Sequence, residues 1–155
     1  PTLDWRDVRV DDGAALTALF PCKPQRRARA LQVGAAPVRL EVAACEAGDD
    51  TYAVGFFDVA EPAVVGPALE ILRKGVAANI GDAAAVAAPY ALPGMTPSPF
   101  AARIDAAGRR PDGSTVRAHA VFFARGLRVY QASVIGAAPN ADAVNAFIGG
   151  LKLAS

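Results

Sequence analysis

Thr115 to Leu153, TVRAHAVFFARGLRVYQASVIGAAPNADAVNAFIGGLKL, reads as a strand, a tight turn, a second strand and a closing helix. Side chains alternate at period two in a strand, so Val116, Ala118, Ala120, Phe122 and Ala124 share one wholly apolar face. Arg117, His119, Val121 and Phe123 share the other, which turns apolar toward the hairpin. Arg125-Gly126 separates this run from Leu127, Val129, Gln131, Ser133 and Ile135, interleaved with Arg128, Tyr130, Ala132 and Val134. Glycine supplies the positive φ that a tight hairpin requires. Beyond Gly136, Pro139-Asn140-Ala141-Asp142 forms a helix start, and Ala141, Val144, Phe147, Ile148 and Leu151 recur at helical spacing. That stripe predicts a helix lying on the sheet.

Working back toward the start, Phe100 to Ala107 is a further strand, joined to the hairpin by the turn Arg110-Pro111-Asp112-Gly113. Ala83 to Pro99, AAAVAAPYALPGMTPSP, lacks a sustained period and reads as a long crossover with at most a short extension of the preceding helix. That helix opens at Pro62, with Pro67 as a reason to move its start to Val64 or Val65. Its stripe is Val65, Ala68, Leu69, Leu72, Val76 and Ile80, and it ends near Asn79 to Gly81. Glu70, Arg73 and Lys74 fall on its outer side.

The first third reads as strands. Leu3 to Val10 and AALTALFP, joined at Asp11-Asp12-Gly13, form an N-terminal hairpin with an irregular start. Arg26 to Val33 and Val38 to Cys45 read as half-buried strands turning at Gly34 to Ala36. Gly48-Asp49-Asp50 leads into Thr51 to Val59, an apolar strand expected in the middle of the sheet. The fold class is therefore α+β: an antiparallel sheet of about six to eight strands with a central helix and a C-terminal helix packed on it, an α/β/α sandwich. With no internal repeat and no second composition regime, residues 1–155 are assigned to one domain.

Composition excludes more than it assigns. The chain has 155 residues, 53% hydrophobic and 20% charged, with a formal net charge of +1. A domain of this size buries roughly 70% of the surface its unfolded chain exposes, so neither metal nor disulfide is needed for a core. A near-neutral charge gives no global field toward nucleic acid, and no aromatic platform interleaves the basic residues. No apolar run reaches the roughly 18 to 20 residues of a transmembrane helix. The chain starts at Pro1-Thr2 rather than Met, which fits a trimmed, exported product.

Four groups of residues are candidate sites. Lys23, Arg26, Arg27 and Arg29 form a basic cluster, with Arg27 and Arg29 on one face, suited to an anionic lipid, glycan or protein surface; edge arginines also guard a strand against unwanted pairing. Tyr90, Met95 and Phe100 flank the crossover and could line an apolar groove between sheet and helix, or simply staple a long loop. Cys22 and Cys45, the only cysteines, would lie at the same end of the sheet and form a candidate disulfide, or else two small apolar residues. His119, the only histidine, would need a partner such as Asp105 to act as a base, and reads better as a capped surface residue. Cys22, Cys45 and His119 lack metal-ligand spacing, Asp11-Asp12 and Asp49-Asp50 sit in turns, and no GxSxG, Walker A or dinucleotide fingerprint is present. No metal, cofactor or catalytic residue is implied.

LFPCKP at an early strand end, YAVGFFDV before the helix, and GLRVYQASVIG followed by AVNAFIGGLKL give the chain a pattern that resembles PsbP-like α/β/α sandwiches and uncharacterised exported bacterial proteins related to them. The likeness covers most of the chain. Known members include a photosynthetic extrinsic subunit and a nuclear-import factor, so the resemblance implies a binding scaffold and fixes no residue role. The expectation is a non-catalytic, exported, periplasmic domain that binds a protein partner or envelope component. The alternative is a small-molecule carrier with an apolar pocket near Tyr90, Met95 and Phe100.

Overall fold

The computed structural model describes residues 3–12 and 15–155. Gly13 of the first expected turn, and Ala14 at the expected start of the second strand, lie outside the described residues. Ten strands and two helices follow in the order β1 (Arg6–Arg9), β2 (Leu16–Phe20), β3 (Gln25–Val33), β4 (Ala36–Ala47), β5 (Asp50–Asp58), α1 (Pro62–Asn79), β6 (Ala88–Pro89), β7 (Ala102–Arg109), β8 (Thr115–Arg125), β9 (Arg128–Gly136), α2 (Ala141–Gly149) and β10 (Lys152–Leu153). Seven form one antiparallel sheet, β3-β4-β5-β9-β8-β7-β6, and three form a second, β1-β2-β10. The expected strand number and the two packed helices are present. The N-terminal hairpin does not open the main sheet, because β2 takes β10 as its other neighbour.

The hairpin that dictated the fold behaves as its alternation requires. Gly126 takes φ 59° in the turn, and Arg125 pairs with Arg128 across it. Val116, Ala118, Ala120, Phe122, Ala124 and Val129 pack into one core with Ala68, Leu69 and Leu72 of α1. Val121, Phe123, Tyr130, Ala132 and Val134 pack into a second core with Phe147 and Ile148 of α2 and Leu16, Ala18 and Phe20 of β2. The main sheet is therefore covered on one face by α1, and on the other by α2 with the small sheet. Each face buries large apolar area, at about 25 cal/mol per Å². Full burial of Tyr52, Phe57, Phe122, Phe123 and Phe147 makes the core deeper than its alanine content implies.

Other boundaries moved for local reasons. Helix α1 runs from Pro62 straight through Pro67, so the later start at Val64 or Val65 is not needed. In α2, Asn140 caps Ala143 through its side chain, and Ala143 rather than Ala141 faces the core. The crossover contains no helix; its only ladder is β6, two residues paired with β7. It is anchored, not loose: the Thr96 amide donates to the Ala124 carbonyl at 2.8 Å, and the Gly126 amide donates to Thr96 Oγ1 at 2.8 Å. β3 is the clearest departure. Expected to be half-buried, it is exposed from Gln25 to Ala30 on both faces, because it is an edge strand reaching beyond the elements that cover the sheet.

Candidate functional site

The site is built on the exposed β3 edge. Register fixes which arginines share a face: Arg27 lies opposite Val42 and Arg29 opposite Leu40, whereas Arg26 lies opposite Ala43. Val42 and Leu40 pack with the α1-side core, and Ala43 belongs to the other, so Arg27 and Arg29 project on the α1 side and Arg26 on the opposite side. On Arg26's side, the β1 to β2 connection leans over the sheet. The Arg26 guanidinium donates to the Val10 carbonyl at 2.7 Å and to the Arg9 carbonyl. Between this connection and the β3–β4 hairpin lies a groove of about 790 Å³ whose cationic lining is Arg9, Arg26, Arg27 and Arg39. Phe56 and Val42 form its apolar part, and Asp12 and Glu41 its acidic one. Among the described residues no ion pair engages any of these four arginines.

A second groove, of about 680 Å³, lies on the other side of the same edge, lined by Lys23, Gln25, Arg27, Val42, Ala44 and Ala53 among others. Arg27 belongs to both. Small residues make this face shallow, since Ala44 and Ala53 are cross-strand partners with little side chain to stand above the sheet. Free guanidinium groups bordering apolar, hydrogen-bonding backbone favour an anionic ligand that also offers surface to cover.

Beneath the first groove sits a buried ionic network. The Asp11 side chain is fully enclosed; its Oδ2 accepts hydrogen bonds from Arg128 at 2.9 Å and Tyr130 at 2.6 Å, and its Oδ1 accepts from the Leu16 amide at 3.0 Å. Arg128 also grips Asp58 through two bonds, at 2.7 and 2.9 Å, and lies 4.8 Å over the Phe56 ring. The Asp58 carboxyl is held below its ordinary range by the Arg128 bonds. Tyr130 is pushed up, first by burial and then by the bond to Asp11. Asp11 is thus more than the turn former its sequence position indicates: one oxygen serves the turn, and the other locks the small sheet onto β9. The network also holds Val10 and Phe56 in place as groove wall.

Cys22 and Cys45 are joined in a disulfide with Cα atoms 6.0 Å apart. Their sulfurs are therefore spent, and no thiolate is left for a Cys22, Cys45, His119 metal set. Among the described residues no group of three or more His, Cys, Asp and Glu is placed to hold a metal ion. Among the same residues no helix is long and apolar enough to cross a membrane.

The other candidates are dispersed. Tyr90 lies 5.9 Å from Phe123 and, like Met95, packs against the α2-side core. Phe100 turns instead to α1, its ring over Gly66, where it borders a notch of about 330 Å³ with Pro62, Val65 and Pro97. The crossover wraps the sheet edge and places Tyr90 and Met95 against one core and Phe100 against α1 on the other. His119 does have a carboxylate in reach: its Nδ1 is 2.7 Å from Asp105 Oδ1, across a direct β7–β8 pair. Arg103, two residues along the same face, forks onto Asp105 at 3.1 to 3.3 Å. Burial pushes the Asp105 carboxyl up, but the Arg103 and His119 bonds together outweigh it and hold it low. A carboxylate so held fixes the orientation of the imidazole ring.

Sequence reading found Arg26, Arg27 and Arg29 but not the contribution of Arg9 and Arg39. Arg39 was within reach: a hairpin turning at Gly34 and Ala35 brings Ala30 opposite Arg39, beside the basic run. Arg9 had no such signal, because its approach depends on stacking one sheet on another.

No protein-family model and no curated protein matches the chain. Among solved structures, the chain is similar to a crystal structure of a protein from Bacteroides thetaiotaomicron VPI-5482, with a TM-score of 0.49 and 11% identity. The match covers 94% of this chain and 47% of that one, so the chain spans about half the length of the protein it matches.

Proposed function

We propose that this chain is a non-catalytic, exported binding domain of PsbP-like α/β/α type, docking an anionic protein partner or envelope component at the β3 edge. The observation that carries the reading is a groove lined by Arg9, Arg26 and Arg39, with Arg27 on the strand between it and the second groove, and no ion pair engaging any of these arginines among the described residues. Exposed charges that form no internal ion pair and border an open sheet edge gain energy on meeting an opposite surface. The Cys22–Cys45 disulfide supports an oxidising, extracytoplasmic setting such as a periplasm. For the carrier reading, the notch at Phe100 offers a volume near the lower size of small-molecule sites.

Site-specific photo-crosslinking in the native host's envelope fraction tests this. A benzophenone side chain replacing Arg29 is expected to give one discrete adduct, absent when it replaces Arg110 in the β7–β8 turn. Identical adducts at both positions, or none at Arg29, would overturn the reading.

A further inference from the structure

The docking reading leaves the form of the ligand open, and the backbone of β3 narrows it. β3 is the terminal strand of the main sheet and spans nine residues, Gln25–Val33. At about 3.3 Å per residue it is long enough to template a full partner strand. In an antiparallel ladder, alternate residues of an edge strand turn their N–H and C=O groups away from the sheet. Among the described residues, no backbone group from Gln25 to Val33 bonds outside the β3–β4 ladder to another main-chain group. The side chains from Gln25 to Ala30 are exposed. Among the described residues, no further strand pairs with this edge.

From these observations, and resting on the docking reading above, we infer that β3 receives an acidic, extended polypeptide segment as an added strand. The unpaired main-chain donors and acceptors match the repeat of another polypeptide, whereas a lipid headgroup or a glycan sulfate engages only the guanidinium groups. Charge then selects the occupant. Arg26, Arg27 and Arg29 crowd the first half of the strand. A second copy pairing antiparallel about Ala28 would set Arg27 of each chain against Arg29 of the other, and directly opposed like charges repel. An acidic strand meets the same residues favourably. Arg27 and Arg29 stand on one face, two residues apart, and Arg26 stands on the other beside Arg39's side of the hairpin. The segment therefore carries Asp or Glu at alternate positions over Arg27 and Arg29.

The test uses the intact, oxidised protein and fluorescence anisotropy with a labelled peptide of about ten residues alternating Thr and Glu. The expected result is saturable binding, weakened at least about tenfold when every peptide amide is N-methylated, a change that keeps charge and removes donors. Hydrogen exchange of amides between Gln25 and Val33 should slow on binding. The doubly reversed variant Arg27→Glu/Arg29→Glu, with its unfolding midpoint checked, should lose the Thr-Glu peptide and take up a Thr-Lys one. Equal binding of the methylated peptide, or equal binding of heparin and phosphatidylglycerol vesicles, would overturn strand addition while leaving an anion-docking edge intact. Failure of peptide, heparin and vesicles alike at low salt, with no crosslink from Arg29, would sink both.

Discussion

The hydroxyl of Tyr130 donates a 2.6 Å hydrogen bond to the carboxylate of Asp11, a residue 119 positions earlier in the chain. Asp11 also accepts from Arg128, so one buried carboxylate ties the β1–β2 connection to the middle strand of the main sheet. Removing one member of a buried charged network leaves its partners unsatisfied, which costs more than the net worth of the bonds. Asp11→Ala should therefore destabilise by about 3 kcal/mol. Tyr130→Phe keeps the Asp11–Arg128 pair and should cost about 1 kcal/mol. The double variant should lose less than the sum, since the two share one bond. Urea unfolding measures all three; additive losses would show that the residues act separately.

The same burial makes the chain sensitive to alkali. All three tyrosines, Tyr52, Tyr90 and Tyr130, have folded-state values above 10, chiefly through burial, with Asp11 adding to it at Tyr130. Between the unfolded value, about 10, and the raised native one, the unfolded chain holds fewer protons, so stability falls as pH rises. Tyrosinate absorbance of the native protein should lag that of the denatured protein, and stability should decline from about pH 10 upward. Tyr130→Phe should flatten that decline. A native titration that overlays the denatured one would show the rings open to solvent.

How far the fold was legible follows from what alternation encodes. It specifies which residues share a face, and for β8 and β9 every face assignment survives, because apolar side chains of that density cannot point to water. It does not say what covers a face. Arg27 and Arg29 share a face as alternation requires, yet the strand carrying them is exposed from Gln25 to Ala30, since the packed helices stop short of it. Asp11 is legible only in part for a related reason: Asp next to Asp before Gly carries a local turn signal, which the Leu16 amide bond bears out, whereas its long-range partners Arg128 and Tyr130 leave no trace in the neighbouring sequence. β6 and β10, two residues each, are too short to carry a period at all.

The disulfide closes a loop between Cys22 and Cys45, 23 residues apart. Cross-linking a loop of this length removes unfolded-state entropy equivalent to about 3 kcal/mol. Thiol titration of the denatured, unreduced protein should find no free thiol, and reduction should lower the unfolding free energy measured in urea by that amount while leaving the native circular dichroism largely intact. The fold should persist because both cores remain apolar without the bridge. Complete unfolding on reduction would mean the cores contribute far less than their burial implies.

Two glycines separate a steric requirement from a conformational cost. At Gly108, where β7 passes the end of α1, an added Cβ would stand 1.6 Å from the Ile80 carbonyl oxygen. The obstacle is backbone at both sides, so helix and strand must separate; Gly108→Ala should cost roughly 2 to 4 kcal/mol and disturb the α1-side core. Gly75 lies inside α1 with nothing within 4 Å of its would-be Cβ. There the only effect is the helix propensity of alanine over glycine, so Gly75→Ala should stabilise by about 0.5 to 1 kcal/mol. Thermal unfolding of the two variants should move in opposite directions. A neutral Gly108→Ala would mean that α1 and β7 do not approach as closely as Ile80 and Gly108 require.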